Sequence, residues 1–165
     1  MTIRYISCIA LFLIKSYYLT MPNLKIYLDN CTYNRPFDNQ NDIRIRLESE
    51  AKLYIQEQMK DNKIDLVWSS VNEYENNDNP SPEKLERIIA WKEIAIEHPR
   101  LNEAILKKAI ELQESGLRAK DALHIATAIH SCCNCFITTD KKILNKKIDD
   151  VAVINPLRFL EEYLL

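Results

Sequence analysis

The sequence predicts an α/β protein, a three-layer α/β/α sandwich on a mostly parallel central sheet. Two observations lead there. Short apolar runs alternate with amphipathic helical segments along most of the chain, and such alternation implies βαβ crossovers that bury a parallel sheet between helical layers. The chain has 165 residues, 47% of them hydrophobic, which suits one compact domain with one continuous core.

Taken in order, Leu24 to Leu28 reads as a strand closed by the turn-forming pair Asp29-Asn30. Ile43, Leu47, Ala51, Tyr54, Ile55 and Met59 recur at helical spacing amid charges, which predicts a helix from Ile43 to Met59. Ile64 to Trp68 is a second strand, and Ser69 or Ser70 stands as N-cap of a helix through Tyr74 and Glu75. Asn76 to Pro82 is a loop. Glu83 to Glu97 and Leu101 to Glu114 are expected as two amphipathic helices, parted by His98-Pro99 because proline stops the first. Gly116 ends the second as a left-handed cap. An alanine-rich helix follows from Ala119 to Ser131, then a strand from Cys135 to Thr138 and a short helix from Lys141 to Lys147. Val151 to Ile154 is the last strand, and Pro156 opens a final helix at its favoured first turn.

Composition removes several classes of function. A net charge of -2 with 28% charged residues excludes a disordered acidic tail and lacks the basic excess of a passive nucleic-acid binder. A polyanion must then be met locally, by a few Lys and Arg or by a metal. With Gly116 as the only glycine, phosphate-cradling loops of the G-x-G-x-x-G or G-x-x-x-x-G-K type cannot be built. Cys8, Cys31, Cys132, Cys133 and Cys135 follow no disulfide-framework spacing, which suits a reducing cytoplasm. Cys132-Cys133-x-Cys135 lacks a fourth ligand for tetrahedral zinc, so these thiols are expected to be buried or half-buried packing groups. The apolar run Tyr5 to Ile14, behind Arg4 and before Lys15, is about half the ~20 residues a spanning helix requires. A signal peptide or weak anchor is its alternative reading. The expected division is an appendage or upstream mis-start at 1–20 and one domain at 21–165, with no stable membrane association.

In parallel sheets, polar residues just beyond strand C-termini converge on a crevice at the topological switch point. Asp29 follows the first strand, Glu75 lies in the helix after the second, and Asp140 comes just after the strand ending near Thr138. Asp121 sits in the first turn of the alanine-rich helix, where the helix dipole favours a carboxylate. Taken singly, each is as readily a cap or a turn former. Together in one crevice they would resist joint ionisation unless a hard divalent cation neutralised them. Such a cation lowers the pKa of an attacking water and stabilises charge on phosphoryl oxygens, so no nucleophilic side chain is needed.

Ile26-Tyr27-Leu28-Asp29-Asn30, Asp121-Ala122-Leu123-His124-Ile125-Ala126 and Phe136-Ile137-Thr138-Thr139-Asp140 resemble, in that order, three landmarks of PIN domains. The similarity runs from about Leu24 to the C-terminus. Tyr27 to Asp38 is closest in look to bacterial PIN proteins related to the toxin nucleases of toxin/antitoxin pairs. The resemblance implies a Mg2+- or Mn2+-dependent ribonuclease with Asp29, Glu75, Asp121 and Asp140 as metal ligands and catalytic acids. Thr138 would orient the late acid. Glu73 competes with Glu75, but residues two apart on a helix cannot face the same way. RNA is the implied substrate, and a small antitoxin protein and a second copy of the chain are partners the family admits. After Asp140, where many members carry further acids, this chain has Lys141 and Lys142, which puts a second metal in doubt. Those lysines and Arg35 would contact phosphates or be plain surface charge. His124 reads as a satisfied packing residue rather than a general base. Two other readings stand beside the nuclease. One is a catalytically silent PIN-like module that binds RNA or protein. The other is a phosphoacceptor receiver domain, disfavoured because its acidic pair at the first strand is missing.

Overall fold

The computed structural model describes residues 23–165, so the expectations for residues 1–20, the apolar run among them, lie outside the described residues. The elements are β1 (Leu24–Leu28), α1 (Asn30–Asn34), α2 (Ile43–Lys60), β2 (Ile64–Val67), α3 (Ser70–Asn77), α4 (Pro82–Ile89), α5 (Glu103–Glu114), α6 (Ala119–His130), β3 (Cys135–Ile137), α7 (Lys141–Leu144), β4 (Ala152–Ile154) and α8 (Pro156–Tyr163). Single 3-10 turns follow α1 and α4. The four strands pair in parallel in the order β2-β1-β3-β4, so β1 and β3 are central. The α/β/α sandwich expected from the sequence is the fold observed.

Alternation along the central strands builds two cores. Tyr27 and Phe136 face one side, where α5 and α6 supply Ile105, Ala109, Leu112, Ala122 and Ile125. Ile26, Leu28 and Ile137 face the other, against Ile55 and Met59 of α2 and Phe159 of α8. Both faces are buried, as a parallel sheet requires. No helix among the described residues is long and apolar enough to cross a membrane.

Two departures have physical causes. The predicted helix from Glu83 to Glu97 stops at Ile89, continues as a 3-10 turn over Ala90–Glu93, and then runs extended. The edge of β2 captures it: Ile96 donates to Leu66 O at 2.9 Å, and Trp68 donates to Glu97 O at 3.0 Å. Edge backbone groups left open are costly when partly buried, and this segment satisfies them. The second departure is α1, which follows β1 where only a turn was expected. The Asp29 carbonyl accepts from Thr32 N and Tyr33 N and so starts a helix directly at the strand end. Cys31, Cys132, Cys133 and Cys135 are unpaired. Cys132 is exposed rather than half-buried, because it takes the left-handed turn position after α6 at φ 52°.

Candidate active site

Asp29 is delivered by backbone hydrogen bonding. Asp29 N donates to Ile137 O at 3.0 Å, extending the β1–β3 ladder one residue past the strand. Asp29 is the N-cap of α1 by its backbone alone, so its carboxylate is not spent on capping. The side chain is instead held from the β3 side. Oδ2 accepts the Thr138 hydroxyl at 2.7 Å and the Cys31 thiol at 2.9 Å, and Asp29 is only 7% exposed. Thr138, fully buried after β3, also accepts from Asp140 N at 3.1 Å, so one hydroxyl stands between the first and last acids. Asp140 caps α7 by accepting from Lys142 N at 2.7 Å.

The end of β2 carries a capping box. Ser69 accepts from Val71 N and Asn72 N, and the Asn72 amide oxygen returns to Ser69 N. Ser69, not Ser70, is therefore the cap. Asn72 Nδ2 also donates to Leu28 O and Asn30 Oδ1, which ties the start of α3 to the end of β1. This placement turns Glu75 towards Asp29 and sends Glu73 the other way, to Lys92 at 2.9 Å.

Glu75 Oε2 accepts from His124 Nε2 at 2.9 Å, and that bond holds the carboxyl below the ordinary glutamate range although burial opposes it. His124 Nδ1 lies 2.7 Å from the Tyr27 hydroxyl, itself 2.5 Å from Ser69 Oγ. Tyr27 has a single proton to share. Given to His124 Nδ1, it leaves the ring proton on Nε2. Given to Ser69, it requires Nδ1 to donate, and then only the imidazolium also satisfies Glu75. In either arrangement Nε2 carries the proton that Glu75 accepts, so His124 fastens Glu75 rather than offering it a rival lone pair.

Donor atoms of Asp29, Glu75 and His124 lie within 4.8 Å of one another. Asp121 and Asp140 stand outside that group, with Asp121 near enough to feel the charges of Asp29 and Asp140. Burial first, and then the negative charges of Asp29 and Asp140, push the Asp121 carboxyl above the ordinary aspartate range. Asp121 accepts no side-chain hydrogen bond among the described residues, and it lines a cavity with Arg118, Lys142 and Lys146. Hard carboxylate oxygens, whose mutual repulsion the protein relieves at Glu75 but leaves raising Asp121, fit a magnesium- or manganese-sized cation. With Nε2 protonated, the protein oxygens open to it are carboxylates.

Two cavities flank the acids. One, of about 350 Å3, is lined by Arg118, Asp121, Lys142 and Lys146. The other, of about 420 Å3, is lined by Glu75, Cys31 and a set of asparagines. Arg35 is not free for a ligand: it lies 2.9 Å from the fully buried Glu48, 3.1 Å from Asp38 and 3.4 Å from Thr139 O. Its pairing with Glu48 is close in distance without an aligned N–H, and Arg44 supplies the aligned bond at 2.7 Å. A buried carboxylate needs such partners, which is why the sequence expectation of a phosphate contact fails for Arg35. Nothing in the residue pattern marks Cys31, Asn72 or Tyr27 as supports of the acids, although Tyr27 and Cys31 lie in the stretch that carries the family resemblance.

Among curated proteins no significant match is found. The fold resembles the solved structure of VapBC2 from Rickettsia felis bound to a DNA fragment from their promoter, with a TM-score of 0.50 and 15% identity, covering 79% of this chain and 98% of that one. The PIN domain profile matches residues 46–149, a range that contains Glu75, Asp121, Thr138 and Asp140 and begins after Asp29. Because that match takes in more than half of the chain, and the sheet and helices follow suit, the protein belongs to the PIN-domain family.

Proposed function

We propose that the protein is a divalent-metal-dependent endoribonuclease that hydrolyses RNA phosphodiester bonds. The observation that carries this reading is the meeting of Asp29 and Glu75 within 4.8 Å at the end of a parallel sheet, with Asp121 within the electrostatic reach of Asp29 and Asp140. Asp29, Glu75, Asp121 and Asp140 would hold Mg2+ or Mn2+. When bound, the cation supplies water activation and neutralises charge on the phosphoryl oxygens. The chain's own residues do the rest. Thr138 and Cys31 fix the Asp29 carboxylate, and His124 fixes Glu75. Arg118 and Lys142 line the cavity beside Asp121, where the phosphate chain of the substrate would lie. With Lys141 and Lys142 in place of further acids, a single cation is the expected load.

The sequence resemblance to toxin nucleases extends the proposal to a small antitoxin protein as the inhibitor, with a homodimer and a cytoplasmic setting. The similar fold of VapBC2, solved on promoter DNA, supports such a pairing. The deciding experiment compares the wild type with Asp29→Asn and Asp121→Asn in RNA cleavage with Mg2+, with Mn2+ and with chelator. Cleavage is expected only with metal, and to fall at least a hundredfold in each variant. Undiminished cleavage in the variants refutes the assignment. No cleavage by the wild type, together with no calorimetric metal binding, identifies a silent PIN module.

A further inference from the structure

The cavity of about 420 Å3 beside Glu75 differs from its neighbour in what lines it. Where the Asp121 side is basic, this side carries four carboxamides, Asn30, Asn34, Asn76 and Asn79, beside the carboxylates of Glu75 and Asp78, with Ser81 and Lys84 completing the lining. The amides are braced against one another. Asn34 Nδ2 donates to Asn30 O at 2.9 Å, Asn79 Nδ2 donates to Asn34 Oδ1 at 3.3 Å, and Ser81 N donates to Asn79 Oδ1 at 3.2 Å. Each of these Nδ2 groups has a second N–H beyond the bond named, and each oxygen has a second lone pair. Asn76 is 3% exposed and anchors its Nδ2 on Leu85 O at 3.1 Å, which fixes the amide's orientation. Its Oδ1 has no hydrogen-bond partner. Being closed to solvent, this oxygen backs the wall and is not itself offered to a ligand. Lys84 holds its ammonium 5.5 Å from the centre of the Phe37 ring, and no carboxylate pairs with it among the described residues.

A rigid surface offering amide donors and acceptors side by side, with a cation in its lining, matches the polar edge of a nucleobase and the phosphate attached to it. Carboxamides are the side chains that read base edges through paired bonds, and single-stranded RNA presents those edges splayed out. The volume suits one nucleoside with some water. Because Glu75 and Cys31 belong to the same wall, a nucleotide seated here is the immediate neighbour of a phosphate at the acids. We propose that this carboxamide cavity is a base-reading subsite, in which Asn34 and Asn79 select the nucleotide adjacent to the cut and Lys84 holds its phosphate. The inference rests on the ribonuclease reading above and adds where its sequence preference comes from.

Two measurements test it on the full chain. Cleavage of a pool of randomised single-stranded RNA with Mn2+ should show one position next to the cut with a preference of roughly ten- to hundredfold for one base, the discrimination a paired amide contact provides. Asn34→Ala and Asn79→Ala should each shrink that ratio to within about threefold. Lys84→Ala should leave the ratio intact and raise KM. In parallel, the side-chain amide NMR signals of Asn34 and Asn79 are followed as each of the four nucleoside 5′-monophosphates is added without metal. They should move for the preferred base and not for ribose 5-phosphate. A wild type that cleaves with no preference beside the cut, or with one that survives both Asn variants, overturns the subsite. If the wild type does not cleave at all, the ribonuclease reading fails, and the amide signals decide the subsite alone: base-dependent shifts retain it, and unmoved signals overturn it.

Discussion

Asp29 is a buried carboxylate whose position depends on what Thr138 and Cys31 give it. Thr138→Val keeps the shape and removes the donor at 2.7 Å, leaving a buried acceptor short of a bond. We expect stability to fall by about 1–2 kcal/mol in urea titration. Magnesium affinity should fall roughly ten- to hundredfold by calorimetry, the usual effect of losing a group that supports a ligand. Unchanged metal binding would show that the hydroxyl is only packing. The same logic applies to His124, which donates to Glu75 at 2.9 Å. Glutamine at 124 can still present an N–H, whereas leucine cannot. His124→Leu is therefore expected to lose at least tenfold more magnesium affinity than His124→Gln, and equal losses would assign the histidine to the core alone. At this scale the sequence is unevenly legible. Asp29, Asp121, Asp140 and Thr138 stand in recognisable runs, and the Thr138 hydroxyl bonds Asp29 Oδ2 and Asp140 N, while Asp121 lines a neighbouring cavity. Cys31 reads as a spare thiol, and only folding shows it bent back onto Asp29, with burial pushing its thiol up to about 12. Tyr27 reads as an apolar strand residue because a hydroxyl at the tip of a buried ring leaves no trace in periodicity.

Elements were legible where a local rule governs and illegible where a distant strand intervenes. The ladder strands, α2, α5 and α6 follow their apolar spacing, and Gly116 has φ 90° after α5, as a left-handed terminator should. A Cβ there would also lie 2.8 Å from Lys146 Nζ. Gly116→Ala should thus destabilise by roughly 1–2 kcal/mol, chiefly from backbone strain, since the lysine tip can move. Gly116→Asn, which tolerates this conformation better, should lose less, and equal melting temperatures for the wild type and the alanine variant would contradict the argument. The stretch 94–99 is the counter-example. As far as Glu97 its residues have a helical pattern, yet Ile96 and Glu97, like Pro99 beyond them, accept or donate bonds at the end of β2. No window of sequence contains both partners, so the break after α4 was invisible.

For the molecule as a whole, the least comfortable charge is Lys52 on α2. It is 4% exposed, lies 5.9 Å from the centres of the Tyr33 and Trp91 rings, and burial lowers its pKa from 10.5 to about 7. Between about pH 7 and 10.5 the unfolded chain keeps a proton that the folded chain has released. Stability from this group therefore rises with pH across that window and is lost as pH falls back towards 7. Lys52→Met should be more stable than the wild type near neutrality by roughly 2–4 kcal/mol, with the difference closing by about pH 10 in denaturant titrations. A constant difference over that range would mean the ammonium reaches water. Global architecture was the most legible level of all, because alternating strands and helices leave few alternatives to a parallel sheet. The strand order has a further consequence. β3 inserts between β1 and β4, and the residues that surround Asp29 are drawn from α3, α6 and the end of β3. During translation, the chain must emerge through Thr138 before Asp29 meets the hydroxyl that fixes it and the Glu75 that His124 holds, so any shorter nascent product carries the first carboxylate without its partners.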